Sequence, residues 1–169
     1  MAEESHGNGA YQLITPPNML KAKVNLGPGG GGSGIDTSAI ELATNAIESL
    51  ADDFTERVTL DTAMLMKLSH DLDDDPSKAG KIAARVERIG YELSSQGETY
   101  GYNLISDVGA SMCRYAQELA RPEDMNGEVL RAHADTLRAV IKNQVKGDGG
   151  GVGIDLVYSL EKLVDRMIG

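Results

Sequence analysis

Residues 76–122 read PSKAGKIAARVERIGYELSSQGETYGYNLISDVGASMCRYAQELARP. Two apolar series run through this stretch. Ala79, Ile82, Val86, Ile89 and Leu93 recur at intervals of three and four, as do Leu104, Val108, Met112, Tyr115 and Leu119. That spacing puts each set on one face of a helix, because 3.6 residues make a turn. Gly97 and Gly101 flank Tyr100 between the two series, where a kink or tight turn is expected, and Pro122 stops the second helix. A helical hairpin around residues 98–102 is therefore the nucleus of the fold.

On the N-terminal side, Ser38 followed by Glu41 is a capping-box signal for a long helix. Ile40, Ala43, Ile47, Leu50, Phe54, Val58, Leu65, Leu68 and Leu72 carry its apolar stripe, and Asp61 interrupts it, which predicts a bend or a frayed middle. The run Asp73–Asp75 with Pro76 ends this helix, with Asp75 as N-cap and Pro76 at the first position of the next. On the C-terminal side a helix is expected over roughly 126–146 through Val129, Leu130, Leu137, Val140, Ile141 and Val145. Gly147–Gly153 reads as a turn and flexible connection, and a last helix uses Ile154, Leu156, Val157, Leu160, Leu163, Val164 and Ile168. Short connections between amphipathic helices favour antiparallel neighbours, hence an all-α bundle over 36–169. Residues 1–35, with Pro16-Pro17 and the glycine run Gly29–Gly32, read as a flexible segment ending in a linker, of which 11–26 has enough apolar residues to dock.

Composition narrows the function. The net charge is -10 and no cluster of lysine or arginine stands out, which argues against nucleic acid and anionic membrane as partners. There is no tryptophan and one phenylalanine, Phe54, too few aromatics for a base-stacking platform. The acidic opening Met-Ala-Glu-Glu-Ser is unlike a secretory leader, and the single Cys113 has no internal disulfide partner, so a cytoplasmic protein is expected. No apolar run approaches the ~20 residues of a spanning helix.

The segment Arg88-Ile89-Gly90-Tyr91-Glu92-Leu93-Ser94-Ser95-Gln96-Gly97-Glu98-Thr99-Tyr100-Gly101-Tyr102-Asn103-Leu104 resembles bacterial histidine-phosphotransfer (HPt) proteins of phosphorelays. In a group of these the region reads approximately R-I-A-H-D-I-K-G-Q-G-x-T-F-G-Y-P-L. Gln96, Gly97, Thr99, Gly101, Tyr102 and Leu104 match, and Tyr100 stands for phenylalanine. Weaker similarity touches the early Pro-Asn-Met-Leu-Lys, Ala132-His133 with Leu137-Arg138, and Gly147-Asp148-Gly149-Gly150. The resemblance implies an antiparallel four-helix HPt-like bundle with an additional helix or a long first helix. It also implies a receiver domain or a histidine kinase as partner, met through Tyr91, Glu92, Ser94, Ser95 and Glu98.

The departures from that pattern bear on chemistry. The phosphoacceptor histidine aligns with Tyr91, its lysine with Ser94 and its glycine with Ser95. An imidazole nitrogen forms a phosphoramidate reactive enough to pass the phosphoryl group on. A phenol, with its usual pKa near ~10, is protonated at neutral pH, and its phosphate ester is too inert for a relay. Loss of the lysine removes a cation that offsets phosphate charge. Loss of the glycine adds a side chain where a partner must approach closely. The expectation is docking without transfer, with no catalytic residue, no cofactor and no metal.

Three other readings stand beside it. His133 as a substitute phosphoacceptor lacks the lysine and glycine partners, since Thr136 and Leu137 occupy those places. A structural or oligomeric bundle outside signalling accords with the long, nearly heptad first stripe. The glycines and tyrosines of the central motif could also do no more than shape a helix junction. Asp71, Asp73 and Asp75 alternate as in a calcium loop, but Pro76 replaces the required glycine and Ile82 the bidentate glutamate, so a capped turn is the simpler reading. His70, near a helix end among acidic residues, and His6 carry no chemistry.

Overall fold

The computed structural model describes residues 37–169. The expectations for residues 1–35, including the linker and the docking of 11–26, lie outside the described residues. Two compact units divide the chain, Met1–Ala43 and Thr44–Gly169, with the boundary inside the first helix. Of the first unit only the opening of that helix is described. The second unit holds the rest of that helix and all the later elements.

Every regular element among the described residues is helical. Helix α1 spans Thr37–Asp74 and begins one residue before the serine expected to cap it. It runs unbroken through Asp61, so the frayed middle, one of the two expectations there, is absent. Phe54, Val58, Leu65 and Leu72 are buried, as the stripe requires, whereas Ile47 and Leu50 of the same stripe are exposed. Periodicity defines a face; it does not say how far along the helix that face is covered.

Asp75 accepts from the Ser77 amide at 3.2 Å and from its hydroxyl at 2.6 Å, opening a single 3₁₀ turn, Pro76–Lys78. Helix α2 comes next over Ala79–Gln96, then a 3₁₀ turn Glu98–Tyr100, then helix α3 over Asn103–Glu118. Gly101 closes that turn at φ 77, a backbone state that costs a side-chain-bearing residue and not glycine. A further 3₁₀ turn, Pro122–Asp124, leads to helix α4, Gly127–Lys142, where the Asn126 side chain accepts from the Glu128 amide at 2.7 Å. Helix α5 occupies Gly150–Ile168. Two boundaries thus differ from expectation. Helix α4 stops at Lys142, where Asn143 and Gln144 (φ 50) turn the chain, and α5 begins inside the glycine run.

Helix α3 is the inner helix, packed against α2, α4 and α5. Its Ile105, Val108, Met112 and Tyr115 are fully buried. The Tyr115 hydroxyl accepts from the Asn126 amide at 2.7 Å, tying the middle of the core to the entry of α4. Helix α1 reaches α2 through Arg57, whose guanidinium donates to the Gln96 side chain at 2.8 Å. It reaches α4 through Asp73, paired with Arg131 at 2.6 Å.

Helices α2 and α3 approach closely at two glycines. A Cβ on Gly90 would stand 2.8 Å from the Gly109 carbonyl oxygen and from the Cys113 nitrogen. One on Gly109 would stand 2.6 Å from the Ser94 nitrogen. Only glycine at both places lets the two backbones meet at this separation. No helix among the described residues is long and apolar enough to cross a membrane.

Candidate partner-binding face

Tyr91 lies on α2 opposite the buried series Ile82, Val86, Ile89 and Leu93, and 66 % of it is exposed. Its position depends on the two glycines. Gly90 presses the helix against α3, so the next residue, about 100° round the axis, is turned away from the core. Ser95 and Glu98 are exposed as well, and Glu92 and Ser94 are half-buried on either flank.

The two serines have no hydroxyl proton to spare. Ser94 Oγ donates to the Tyr91 carbonyl at 3.0 Å and Ser95 Oγ to the Glu92 carbonyl at 3.1 Å, each within its own helix. Glu92 stands 3.9 Å from Arg88 across one turn, on the flank facing α1. There it meets Asp61, whose carboxyl is held above the usual range first by burial and then by Glu92, against the pull of Arg57 and Arg88. Asp61 and Arg57 thus belong to the border of this face although neither was among the expected site residues. The signal was present: a polar residue breaking an apolar stripe marks where a helix edge meets a neighbour's polar flank.

Glu98 sits about two helical turns beyond Tyr91, in the junction between α2 and α3. Its amide donates to Ser106 Oγ at 2.8 Å, so the residue is anchored to α3. The remaining motif residues build this junction. Phe54 of α1 stacks on Tyr100 with ring centres 4.7 Å apart and lies 6.0 Å from the Tyr102 ring. Lys146 Nζ stands 3.5 Å from the Tyr102 ring centre. The Gly147 amide donates to Gly101 O at 2.8 Å, and the Leu104 amide donates to Gly147 O at 2.9 Å. Of the stretch Gly147–Gly153, expected to be a flexible connection, the opening residues instead pin the α2–α3 junction to the start of α5, which begins at Gly150.

His133 is fully buried on α4. Nδ1 lies 2.8 Å from the Val129 carbonyl, which can only accept, so Nδ1 carries the proton. Nε2, 3.2 Å from Ser111 Oγ, is left to accept from that hydroxyl. Burial holds the imidazole below its usual pKa, against the Val129 bond and the more distant Glu161. Both nitrogens are occupied and neither faces solvent, so the reading of His133 as a phosphoacceptor finds no accessible nucleophile.

The aspartates of the α1–α2 turn go separate ways. Asp71 pairs with Lys67, Asp73 with Arg131, and Asp75 caps the 3₁₀ turn. No group of three or more metal-binding side chains occurs among the described residues. No family model, curated protein or solved structure matches this chain.

Proposed function

We propose that this chain is a degenerate HPt-like signalling protein that docks a receiver domain or a histidine kinase through the Tyr91 face and carries no phosphate. The observation that carries this reading is an outward-facing tyrosine on a rigid, glycine-packed hairpin, next to serines whose hydroxyls are spent on their own helix. Such a surface offers apolar area with a polar tip at small entropic cost, which suits a binding anchor. No side chain among the described residues hydrogen-bonds the Tyr91 phenol, and the cation one turn back, Arg88, stands 3.9 Å from Glu92. The protein would act as an adaptor, a competitor or a sequestering partner.

Immobilised receiver domains and kinase cores test the proposal directly. Retention of the native chain and loss with Tyr91→Ala is the expected result; equal retention removes Tyr91 from the contact. Incubation with a phosphorylated receiver is expected to leave the chain unlabelled, and a label passing through it to a second aspartate would refute docking without transfer.

One observation favours a second reading, a structural or oligomeric bundle. Ile47 and Leu50 are exposed on α1, in heptad register with the buried Phe54. Sedimentation that finds a constitutive dimer burying the Tyr91 face would favour it over the adaptor.

A further inference from the structure

A second surface, apart from the Tyr91 face, has the makings of a docking site. Between α3 and α5 runs a groove of about 420 Å³. Ile154, Val157 and Tyr158 give it an apolar lining, and Asp107, Asp148 and Glu161 line it with carboxylates. Ile154 is 60 % exposed and Tyr158 59 %, unusual for large apolar side chains one helical turn apart.

The charges are unevenly compensated along it. Arg114 on α3 bridges Glu161 and Asp165 on α5, closing one end. At the other end Asp107, Asp148 and the nearby Glu98 have no ion-pair partner among the described residues. Among the described residues the Asp148 carboxylate accepts only from the Gly150 amide, at 2.9 Å. Burial first, and then Asp148 and Glu98, push the Asp107 carboxyl above the usual range. Lys162 Nζ stands 4.4 Å over the Tyr158 ring and, among the described residues, forms an ion pair with none of the groove's carboxylates.

We propose that the α3–α5 groove receives an amphipathic helix of a partner protein, with apolar residues on Ile154, Val157 and Tyr158 and a lysine or arginine at the Asp107–Asp148 end. A furrow between two helices takes a third helix by ridge-and-groove packing, with anchors at i, i+3 or i+4. The unpaired carboxylates select the sign of the occupant. A cation there relieves repulsion already present, and the chain's net charge of -10 steers basic partners toward it. A second copy of this chain would bring its own carboxylates to the same groove. An anionic lipid surface would be repelled.

The test is a library of helix-forming peptides panned against the full chain, with the strongest binder mapped by amide chemical shifts. Enrichment of peptides that pair lysine or arginine with apolar residues at helical spacing is expected, together with shifts concentrated on α5 and the 147–150 turn. The affinity of that peptide should weaken at least about tenfold in Asp107→Asn/Asp148→Asn and in Tyr158→Ser, and fall as salt rises. Tyr91→Ala should leave it unchanged. This separates the groove from the receiver-docking face, because each proposal fails on its own variant. No enrichment, enrichment of acidic sequences, or binding that survives both groove variants would overturn the inference. So would shifts centred on Tyr91, or self-association that buries Tyr158.

Discussion

Replacing Gly109 with alanine should destabilise the protein, although helix propensity alone predicts the opposite. Gly109 lies in α3, where alanine is favoured over glycine by about 1 kcal/mol. Against this, the new methyl would sit 2.6 Å from the Ser94 nitrogen and 2.8 Å from both the Gly90 oxygen and Leu93 Cβ. These distances fall roughly 1 Å short of the ~3.5–4.0 Å optimum for non-bonded atoms. Two of the three atoms are backbone and cannot swing aside, so α2 and α3 must part along a seam in which Gly90 and Gly109 are themselves buried. Overpacking of this kind costs about 1–3 kcal/mol, and the rigidity of the seam puts Gly109→Ala at the upper end. The net loss expected is about 1–2 kcal/mol, read as a lower urea midpoint with an unchanged slope, or as a fall of a few degrees in Tm. Gly151→Ala is the internal control. It sits in α5 with nothing within 4 Å of the added carbon, and should stabilise by about 0.5–1 kcal/mol. Opposite signs for the same chemical change would show that the α2–α3 approach, rather than glycine content, sets the outcome. Equal or greater stability of Gly109→Ala would refute the reasoning.

Three further outcomes concern polar groups in or beside the core. Because burial lowers the folded-state pKa of His133, the unfolded chain binds the proton more readily; stability is therefore full above pH ~6.5 and declines as pH falls below it. Urea titrations between pH 5 and 7 should show that decline reduced in His133→Gln, and an unchanged pH slope would contradict the assignment. Tyr115→Phe leaves the Asn126 amide without its acceptor, and chemical denaturation should register a loss of about 1–2 kcal/mol; a neutral result would mean the 2.7 Å bond contributes nothing net. Asp61→Asn removes a carboxylate whose ionisation the fold disfavours, so the variant should be more stable than the native chain at pH 7. The gap should close as pH falls through the raised pKa of Asp61, and thermal melts across that range would expose a gap that does not close.

Much of the architecture was legible in the residues. The hairpin stripes, the Asp75–Pro76 boundary and the five-helix order all emerge from 3.6-residue spacing and from proline and glycine chemistry, which act within a turn or two. The same local rules misplaced the ends of α4 and α5. A glycine-rich string such as 147–153 has weak local preference, and its conformation is set by distant partners, here Gly101 and Leu104. Of the expected site residues, Tyr91, Glu92, Ser94 and Ser95 share one helix segment, as adjacency guarantees, with Glu98 at the helix end.

The chain's order of residues alone determined helical identity, the outward or inward register of each helix, and the absence of an imidazole at position 91. Tertiary packing decided which stretch of the α1 stripe is covered and that His133 is sealed between Val129 and Ser111. It also brought Asp61 and Arg57 to border the Tyr91 face, and gathered Asp107, Asp148 and Tyr158 around one groove. The physical reason is range. Periodicity and capping are properties of neighbours along the chain, whereas burial and charge compensation depend on residues dozens of positions apart that only the packed bundle brings together.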